Sequence, residues 1–268
     1  NKNLNYHELY MSYTTTLNRD KIKVSIIMPA FNAAHTIDAA IKSVIEQTYK
    51  NIEYIIIDGG SSDGSVDIIR KYENKIHYWI SEPDSGIYHA MNKGIILSKG
   101  DWIFFIGADD KLYNSDTIKT IFHKCYDGIS LIYGNILYQN REKHFAKMQI
   151  YISYYNYLLL LKNSLHHQAV FYRRSLFHNF RYNPTFKVCA DYELNLKSFV
   201  EKVPAKKINQ IVSVCGNNGV SKRLSFQGYK EQIIIKNKYI KNNYKIILNI
   251  QTVLRFLIKK YIVSRYKV

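Results

Sequence analysis

The chain has 268 residues, of which 47% are hydrophobic, and this size suits one large domain or a domain with an appendage. Its formal net charge is +17, but residues 221–268 hold 12 basic and one acidic side chain, whereas residues 21–220 hold 24 and 18. The excess charge therefore describes an appendage rather than the body, which argues against a nucleic-acid-binding module despite the 24 tyrosines.

Two further features bear on where the protein works. Residues 1–20 are polar, and no apolar run reaches the roughly 18 residues of a membrane span, so we expect neither a signal segment nor a span. Cys125, Cys189 and Cys215 are scattered and lack the spacing of metal ligands, which favours free thiols in a reducing compartment. These features predict a cytoplasmic protein.

Short β-rich runs alternate with segments of helical spacing through the first half of the chain. Strands are predicted at 24–28, 52–57, 76–80 and 102–106, with helices over 37–45, 66–72 and 87–95 between them. Beyond residue 110 we expect a helix at 114–124, strands at 131–138, 144–150, 169–172 and 207–214, and a helix from Ala190. This alternation predicts an α/β fold with a mainly parallel sheet flanked by helices.

The strand predicted at 102–106 is apolar on both faces and is followed by Gly107, Ala108, Asp109 and Asp110. The carboxyl ends of parallel strands are where open α/β proteins bind ligands, and paired carboxylates suit Mg²⁺ or Mn²⁺ on a diphosphate. Taken alone, the pair could equally begin a turn or cap the next helix. G-x-G-x-x-G and P-loop motifs are missing, which argues against dinucleotide enzymes and P-loop NTPases.

Other acidic residues follow predicted strands or begin a helix. Asp58 ends the second strand, and Ser62 or Asp63 can cap the next helix, although both aspartates could be ordinary turn residues. Asp191 and Asn195 share one helix face, whereas Glu193 lies about 200° around the helix, so only one of the two carboxylates can point into a cleft.

An ordered set of motifs carries a resemblance to a known family. The set comprises Pro29-Ala30-Phe31-Asn32, Ile57-Asp58-Gly59-Gly60-Ser61-Ser62-Asp63-Gly64-Ser65, Glu82-Pro83-Asp84-Ser85-Gly86-Ile87-Tyr88-His89-Ala90-Met91-Asn92-Lys93-Gly94, Gly107-Ala108-Asp109-Asp110, His167-Gln168 and Ala190-Asp191-Tyr192. In this order, over residues 22–221, it resembles the family 2 glycosyltransferases of the GT-A fold. The resemblance is closest to bacterial enzymes that build polysaccharide repeat units of O-antigen, capsule, exopolysaccharide or colanic-acid type.

The resemblance implies a role for each matching position. Asp191 would be the general base, Asp109 would bind a divalent Mn²⁺ or Mg²⁺ with Asp110 nearby, and nucleotide-binding, acceptor-side and diphosphate-side residues complete the site. The implied nucleotide-binding residues are Pro29, Phe31, Asn32, Asp58, Asp84, Asn92 and Ala108, and the acceptor or diphosphate side comprises His167, Gln168 and Tyr192. Gly107 stands where the family usually has Asp or Asn, and Gly59 stands where it usually has Asp.

The implied reaction is an inverting transfer of a hexosyl or N-acetylhexosaminyl group from a nucleotide-diphosphate sugar to a saccharide carried on a polyprenyl diphosphate. The expected organisation is an extension at 1–20, a catalytic domain at 21–221 and a basic amphipathic helical tail at 222–268. The tail's apolar stripe suits an anionic inner-membrane surface, which predicts a peripheral protein at the cytoplasmic face. Alternatively, the stripe packs on the catalytic domain. A non-catalytic sugar-nucleotide binder is the other reading of the motifs.

Overall fold

The computed structural model describes residues 22–124, 126–142, 145–216 and 226–266. The predicted extension at 1–20, Cys125 and most of the loop expected at 216–221 lie outside these ranges. Cys189 and Cys215 are both buried.

The described residues alternate strands and helices before a helical end. The strands are β1 (Val24–Ala30), β2 (Ile52–Asp58), β3 (Tyr78–Ser81), β4 (Trp102–Phe105), β5 (Lys111–Leu112), β6 (Leu131–Glu142), β7 (Phe145–Tyr151), β8 (Val170–Arg173) and β9 (Ala205–Cys215). The helices are α1 (Ile37–Ile45), α2 (Ser65–Lys71), α3 (Ile87–Leu97), α4 (Thr117–Phe122), α5 (Leu158–Leu161), α6 (Ala190–Val200), α7 (Phe226–Tyr239) and α8 (Asn242–Tyr266). Short 3-10 turns occur at Glu73–Lys75, His167–Ala169 and Arg174–Phe177.

The strands form one mixed sheet in the order β3-β2-β1-β4-β8-β6-β9-β5, and β7 pairs with β6. The β3-β2-β1-β4 half is parallel, whereas β8 runs antiparallel to both β4 and β6. As predicted, β4 is central and wholly buried, because apolar side chains cover both of its faces. The parallel half therefore places the ends of β1, β2 and β4 at one edge, where the candidate site lies.

Two hydrophobic cores cover the sheet, one on each face. Ile26 and Met28 of β1 pack with α1 in one core, whereas Ile27 packs with α3 and α6 in the other. This alternation follows from the period of two along a strand. Apolar residues at helical spacing on α1, including Ile37 and Ile41, are buried as predicted.

Some predicted boundaries are wrong. β1 continues through Pro29 to Ala30, because Pro29 lies beyond the last β4 pairing at Ile27 and its missing N–H leaves no ladder bond unmade. α3 buries Tyr88 with Ala90, whereas Ile87 is exposed. The N-cap of α2 is Gly64, and the Asp63 carboxylate accepts the Ser65 N–H one residue beyond it.

The basic end of the chain forms two helices with different surroundings. α7 packs on α6, and Glu231 and Ile235 of α7 are almost wholly buried. α8 packs on α7 and α5 along one side, while apolar residues on its other side are exposed. None of the helices in the described part of the chain combines the length and hydrophobicity of a membrane span.

Candidate active site

The loops after β1 and β2 hold each other at the edge of the sheet. The Asn32 N–H donates to Ser61 Oγ at 2.7 Å, and Asn32 Oδ1 accepts from the Ser62 N–H at 3.0 Å. Asn32 adopts a φ of 46°, a left-handed conformation that asparagine tolerates better than most residues. Ala30, the last residue of β1, is buried, whereas the next residue, Phe31, points outward with 64% of its surface exposed. The exposed Phe31 ring is thus free to stack on the planar base of a nucleotide.

Asp58 is wholly buried, and the protein itself uses its carboxylate. Its oxygens accept from the Gly60 N–H at 3.1 Å, the Ser61 N–H at 2.8 Å, Ser61 Oγ at 2.5 Å and Ser81 Oγ at 2.6 Å. These bonds tie the loop after β2 to the end of β3. As placed, Asp58 shapes the loop rather than offering a free oxygen to a ligand, as the turn interpretation of this residue expects.

Asp84 and Asn92 also support backbone. Asp84 Oδ1 accepts the Gly86 N–H at 2.7 Å, just before α3 begins. The Asn92 amide donates to the Tyr182 carbonyl at 2.7 Å and accepts the Tyr182 N–H at 2.9 Å, which joins α3 to the segment before α6. A Cβ added at Gly59 would lie 3.0 Å from Asp84 Oδ2, so glycine there leaves room for the Asp84 carboxylate.

Asp109 and Asp110 converge at the end of β4. Asp110 is almost wholly buried, and its Oδ2 accepts from Gln168 Nε2 at 2.8 Å, while Asp109 is exposed. Burial, followed by the neighbouring Asp109 charge, raises the pKa of the Asp110 carboxyl, and the Gln168 hydrogen bond and His167 oppose that rise. Two carboxylates held this close favour a positive partner between them.

The residues at this edge fit a divalent cation. A Cβ added at Gly107 would lie 2.6 Å from Asp110 Oδ2 and 2.9 Å from Asp109 Oδ1, so both carboxylates surround the bare side of this glycine. The buried Oε1 of Gln168 has no hydrogen-bond partner within the described residues. Within the described residues, no group of three or more His, Cys, Asp or Glu side chains is arranged to hold a metal ion by itself. Mg²⁺ sites typically use one or two carboxylates together with substrate phosphates, and Asp109 and Asp110 supply two carboxylates here.

Asp191 lies in the first turn of α6 and points toward the same edge. Its Oδ2 accepts from Asn163 Nδ2 at 2.9 Å and lies 3.3 Å from His167 Nδ1. His167 and Gln168 are adjacent in the 3-10 turn before β8, so this turn contacts Asp191 through one side chain and Asp110 through the next. The structure thus brings the residues on both sides of the predicted reaction together.

Sequence reasoning placed some residues of this helix correctly and one wrongly. Asp191 and Asn195 share a face, and Glu193 instead accepts from Lys238 at 2.7 Å and Tyr239 at 2.9 Å on α7. Tyr192, predicted on the acceptor side, is wholly buried and donates its hydroxyl to the Leu159 carbonyl at 2.6 Å. It is a core residue, because its ring is buried in one of the two hydrophobic cores and its hydroxyl is bound to α5.

Two residues near Asp191 were not identified from sequence. Asn163 donates to the Asp191 carboxylate, although it lies in a polar Lys-Asn-Ser stretch without periodicity or motif. Glu231 of α7 accepts backbone N–H groups of Lys187, Val188 and Cys189, which lead directly into α6. No local sequence signal marks either residue, because each acts through a tertiary contact.

Comparison with known proteins places this geometry in context. The model of the family described as "Glycosyl transferase family 2" matches residues 25–182. A "PGL/p-HBAD biosynthesis glycosyltransferase" of Mycobacterium bovis is 33% identical over 181 residues, covering 65% of this chain and 69% of that protein.

Solved structures share the fold at low sequence identity. S. aureus TarS 1-349, crystallised with UDP-GlcNAc, has a TM-score of 0.67 at 15% identity and covers 87% of this chain and 72% of that one. The mannosyltransferase PcManGT from Pyrobaculum calidifontis, in complex with GDP-Man and Mn²⁺, has a TM-score of 0.56 at 14% identity, with 91% and 76% covered. At these identities the likeness concerns the fold alone.

Proposed function

The chain belongs to glycosyl transferase family 2 and has the GT-A fold, and from that premise we propose that it transfers a sugar, with inversion, from a nucleotide-diphosphate donor to a saccharide hydroxyl. The observation that carries the proposal is the continuous contact from Asp110 through Gln168 and His167 to Asp191. It joins a site suited to a diphosphate to a carboxylate suited to a base.

Asp191 is the proposed base, which takes the proton of the attacking hydroxyl as the new bond to the anomeric carbon forms. The bond to the diphosphate breaks on the opposite face of the sugar, and this single displacement inverts the anomeric centre. Asp109 and Asp110, with the amide oxygen of Gln168, would hold the divalent cation near the diphosphate. When bound, such a cation supplies positive charge that stabilises the leaving group.

The proposed donor pocket lies between the loops after β1 and β2. Phe31 presents an exposed face to the base, and Pro29, Asn32 and Ala108 line the adjoining edge, while Asp58, Asp84 and Asn92 hold the surrounding backbone. Solved relatives of the fold bind UDP-GlcNAc, or GDP-Man with Mn²⁺, which supports a nucleotide-sugar donor and a divalent cation. The transferred group in our proposal is a hexose or N-acetylhexosamine.

The proposed acceptor is a growing surface polysaccharide unit on a lipid diphosphate, in the manner of the polysaccharide subgroup that the motifs resemble. The exposed apolar side of α8, set beside lysine and arginine, supports attachment to the anionic cytoplasmic face of an inner membrane. In this proposal residues 21–221 carry the chemistry and the C-terminal segment brings it to the acceptor.

A thermal-shift screen tests the donor assignment. UDP-, GDP-, dTDP- and CMP-sugars are each added with and without Mn²⁺, and one nucleotide should raise the melting temperature in a Mn²⁺-dependent way. A ligand that binds only the folded chain, at 100 times its dissociation constant, adds about 2.7 kcal/mol of stability. Failure of every nucleotide to bind would contradict the proposal. Binding without release of the nucleoside diphosphate would favour the non-catalytic alternative.

Asp191→Asn tests the base assignment with the donor that binds. Removal of a general base should lower turnover by about 10²–10⁴-fold while the thermal shift with the donor is retained. Glu193→Gln is the matched control, since it neutralises a carboxylate on the same helix that faces α7 instead of the cleft. Near-normal turnover in Asp191→Asn would show that another group acts as the base.

A further inference from the structure

Three polar side chains form a hydrogen-bond chain that ends on Asp191. Tyr172 on β8 donates its hydroxyl to Asn195 Oδ1 at 2.7 Å. Asn195 on α6 donates from Nδ2 to Asn163 Oδ1 at 3.1 Å, and Asn163 donates from Nδ2 to Asp191 Oδ2 at 2.9 Å. Tyr172 and Asn195 are wholly buried, so water does not replace these partners.

The direction of this chain follows from the chemistry of its members. An ionised carboxylate only accepts hydrogen bonds, so Asn163 must present its amide N–H₂ to Asp191 and its oxygen to Asn195. Asn195 must then present its own N–H₂ to Asn163, which leaves its oxygen for the Tyr172 hydroxyl. A buried phenol that donates to this oxygen fixes the orientation of both amides. The chain therefore presents a donor to the ionised carboxylate.

Within the described residues, the hydrogen bonds to the Asp191 side chain are both accepted by Oδ2. Asn163 and His167 share that oxygen, so Oδ1 is the one left for an acceptor hydroxyl. A carboxylate held through Oδ2 keeps its Oδ1 in a fixed direction. This direction matters because a small displacement of a reacting group lowers the reaction rate.

We propose that Asn163, Asn195 and Tyr172 are positioning residues that orient Asp191 through Oδ2 and support its ionised form. The inference rests on the proposed role of Asp191 as base. Tyr172 acts two residues removed from the carboxylate, through the amide orientations that it fixes.

Other titratable groups also face Asp191, and their effect on the pH profile must be distinguished from that of the Tyr172–Asn195–Asn163 hydrogen bonds. They come from every neighbouring element: Tyr88 of α3, Tyr138 of β6, His167 of the 3-10 turn, Tyr182 of the segment before α6, and Cys189 next to the helix start. Tyr88, Tyr182 and Cys189 are buried and Tyr138 is half-buried, and burial raises the pKa of each, so they stay neutral near pH 7. His167 contacts the same Asp191 oxygen, so the test below includes a variant that lacks its imidazole.

The test compares pH–rate profiles of Asn163→Asp and Tyr172→Phe, with release of the nucleoside diphosphate as the readout. UDP-glucose with Mn²⁺ is the first probe, and the nucleotide sugar that binds in the screen is the second. Asn163→Asp keeps the acceptor for Asn195 but replaces the donor by a second carboxylate. The acid limb of kcat/KM should move up by about one to two pH units, while activity recovers on the alkaline side.

Tyr172→Phe should move the same limb upward by about half a pH unit, because it removes the hydroxyl that fixes the amides. Tyr192→Phe is the matched control, since it removes another buried hydroxyl near Asp191 that donates to a backbone carbonyl. The acid limb of the Tyr192→Phe profile should stay at the same pH as in the unmodified chain. Profiles in a His167→Gln background exclude the imidazole as the source of the shift. Coinciding limbs for the two tyrosine variants, or a loss in Asn163→Asp that is equal at every pH, would overturn the inference.

A stability measurement tests the chain without turnover. In Asn163→Asp the two facing carboxylates should lower the melting temperature more at pH 8 than at pH 5. Adding Asp191→Asn exchanges donor and acceptor and should remove that difference. Persistence of the difference in the double variant would contradict the assigned contact. An active Asp191→Asn enzyme beside this rescue would instead contradict only the base assignment.

Discussion

Gly107 lets two carboxylates approach one point at the end of β4. Asp110 Oδ2 and Asp109 Oδ1 both lie within 3.0 Å of the position that a Cβ would occupy. The motif usually carries an acidic side chain or asparagine at this place, and here the Asp110 carboxylate fills the space instead. Gly107 thus lacks the ligand atom that an aspartate or asparagine would offer, but the Asp109 and Asp110 carboxylates both lie beside it.

Gly107→Ala should therefore damage the site with a single added carbon. Asp110 is held by Gln168 and by the Gly216 N–H at 3.2 Å, so it cannot withdraw without breaking those bonds. We expect Mn²⁺-dependent turnover to fall by about 10- to 100-fold, the scale of a misplaced reacting group. Gly228→Ala is the control, because its added Cβ would lie 3.4 Å from Val188 Cγ1, an ordinary contact on α7. Equal losses in both variants would show that Gly107 has no special role.

At this scale the sequence predicted which residues meet but only part of what they do. Asp109, Asp110, Gln168, His167 and Asp191 lie together because ordered motifs at strand ends share one edge of a parallel sheet. The direction of a side chain is a different matter. Asp58 turns inward and Tyr192 packs in the core, because donors and cavities contributed by distant segments decide those orientations.

The helix that carries Asp191 is fixed at its start by other elements. Glu231 Oε1 accepts the Lys187 N–H at 2.8 Å, and its Oε2 accepts the N–H groups of Val188 and Cys189 at 2.9 Å each. An anion at this end also interacts favourably with the helix dipole. The buried Glu231 belongs to α7, so a segment predicted to lie in a separate tail supports the helix that carries Asp191.

Glu231→Gln should destabilise the chain by about 2 kcal/mol, because hydrogen bonds to a charged group are lost from a buried site. The free energy of unfolding in urea measures this change. Glu201→Gln is the control, since Glu201 is exposed and pairs with Lys197 on the surface, where ion pairs contribute little. A loss in Glu231→Gln no larger than in Glu201→Gln would contradict a supporting role.

A buried lysine gives the α7–α8 pair a pH dependence. Lys236 is wholly buried and donates to the Leu161 carbonyl at 3.0 Å and to Thr252 Oγ1 at 2.6 Å. Burial, and then the neighbouring Arg255, lower the pKa of Lys236 to about 7. The unfolded chain holds this proton up to a pH near 10.5, so between these values unfolding takes up a proton.

Stability should consequently rise with pH across that window. Relative to Lys236→Met, which cannot titrate, the free energy of unfolding should increase by about 2 kcal/mol from pH 7 to pH 9. Urea unfolding of both chains at the two pH values measures the difference, and other titrating groups cancel in the comparison. Parallel pH profiles for the two chains would show that Lys236 keeps its ordinary affinity for the proton.

Element boundaries followed the sequence where burial was uniform and departed where tertiary pairing decided. The apolar run of β4 and the helical spacing of α1 predicted these two elements without information from distant parts of the chain. β1 extends past Pro29 because its neighbour β4 has already ended, a fact that no local pattern contains. The antiparallel insertion of β8 between β4 and β6 likewise depends on long-range pairing.

The whole molecule carries an apolar surface on the side of α8 that faces away from α7. Five residues at alternating spacings of three and four are each at least half exposed: Ile247, Ile250, Leu254, Leu257 and Tyr261. α8 also carries lysine and arginine but no acidic residue. The two predictions for the C-terminal segment therefore each describe one helix, because α7 packs on α6 while α8 keeps an apolar face outward.

Vesicle binding tests what covers this face. If an anionic membrane does, the chain should bind phosphatidylglycerol-containing vesicles more tightly than pure phosphatidylcholine, and salt should weaken that binding. The double variant Ile250→Asn/Leu254→Asn should reduce partitioning by at least about 100-fold, given about 1.5–3 kcal/mol for each buried aliphatic side chain. Ile96→Asn is the matched control, because Ile96 on α3 is equally apolar and 69% exposed. Equal loss in the control, or binding indifferent to lipid charge, would remove α8 as the attachment surface and leave the lipid-linked acceptor without structural support.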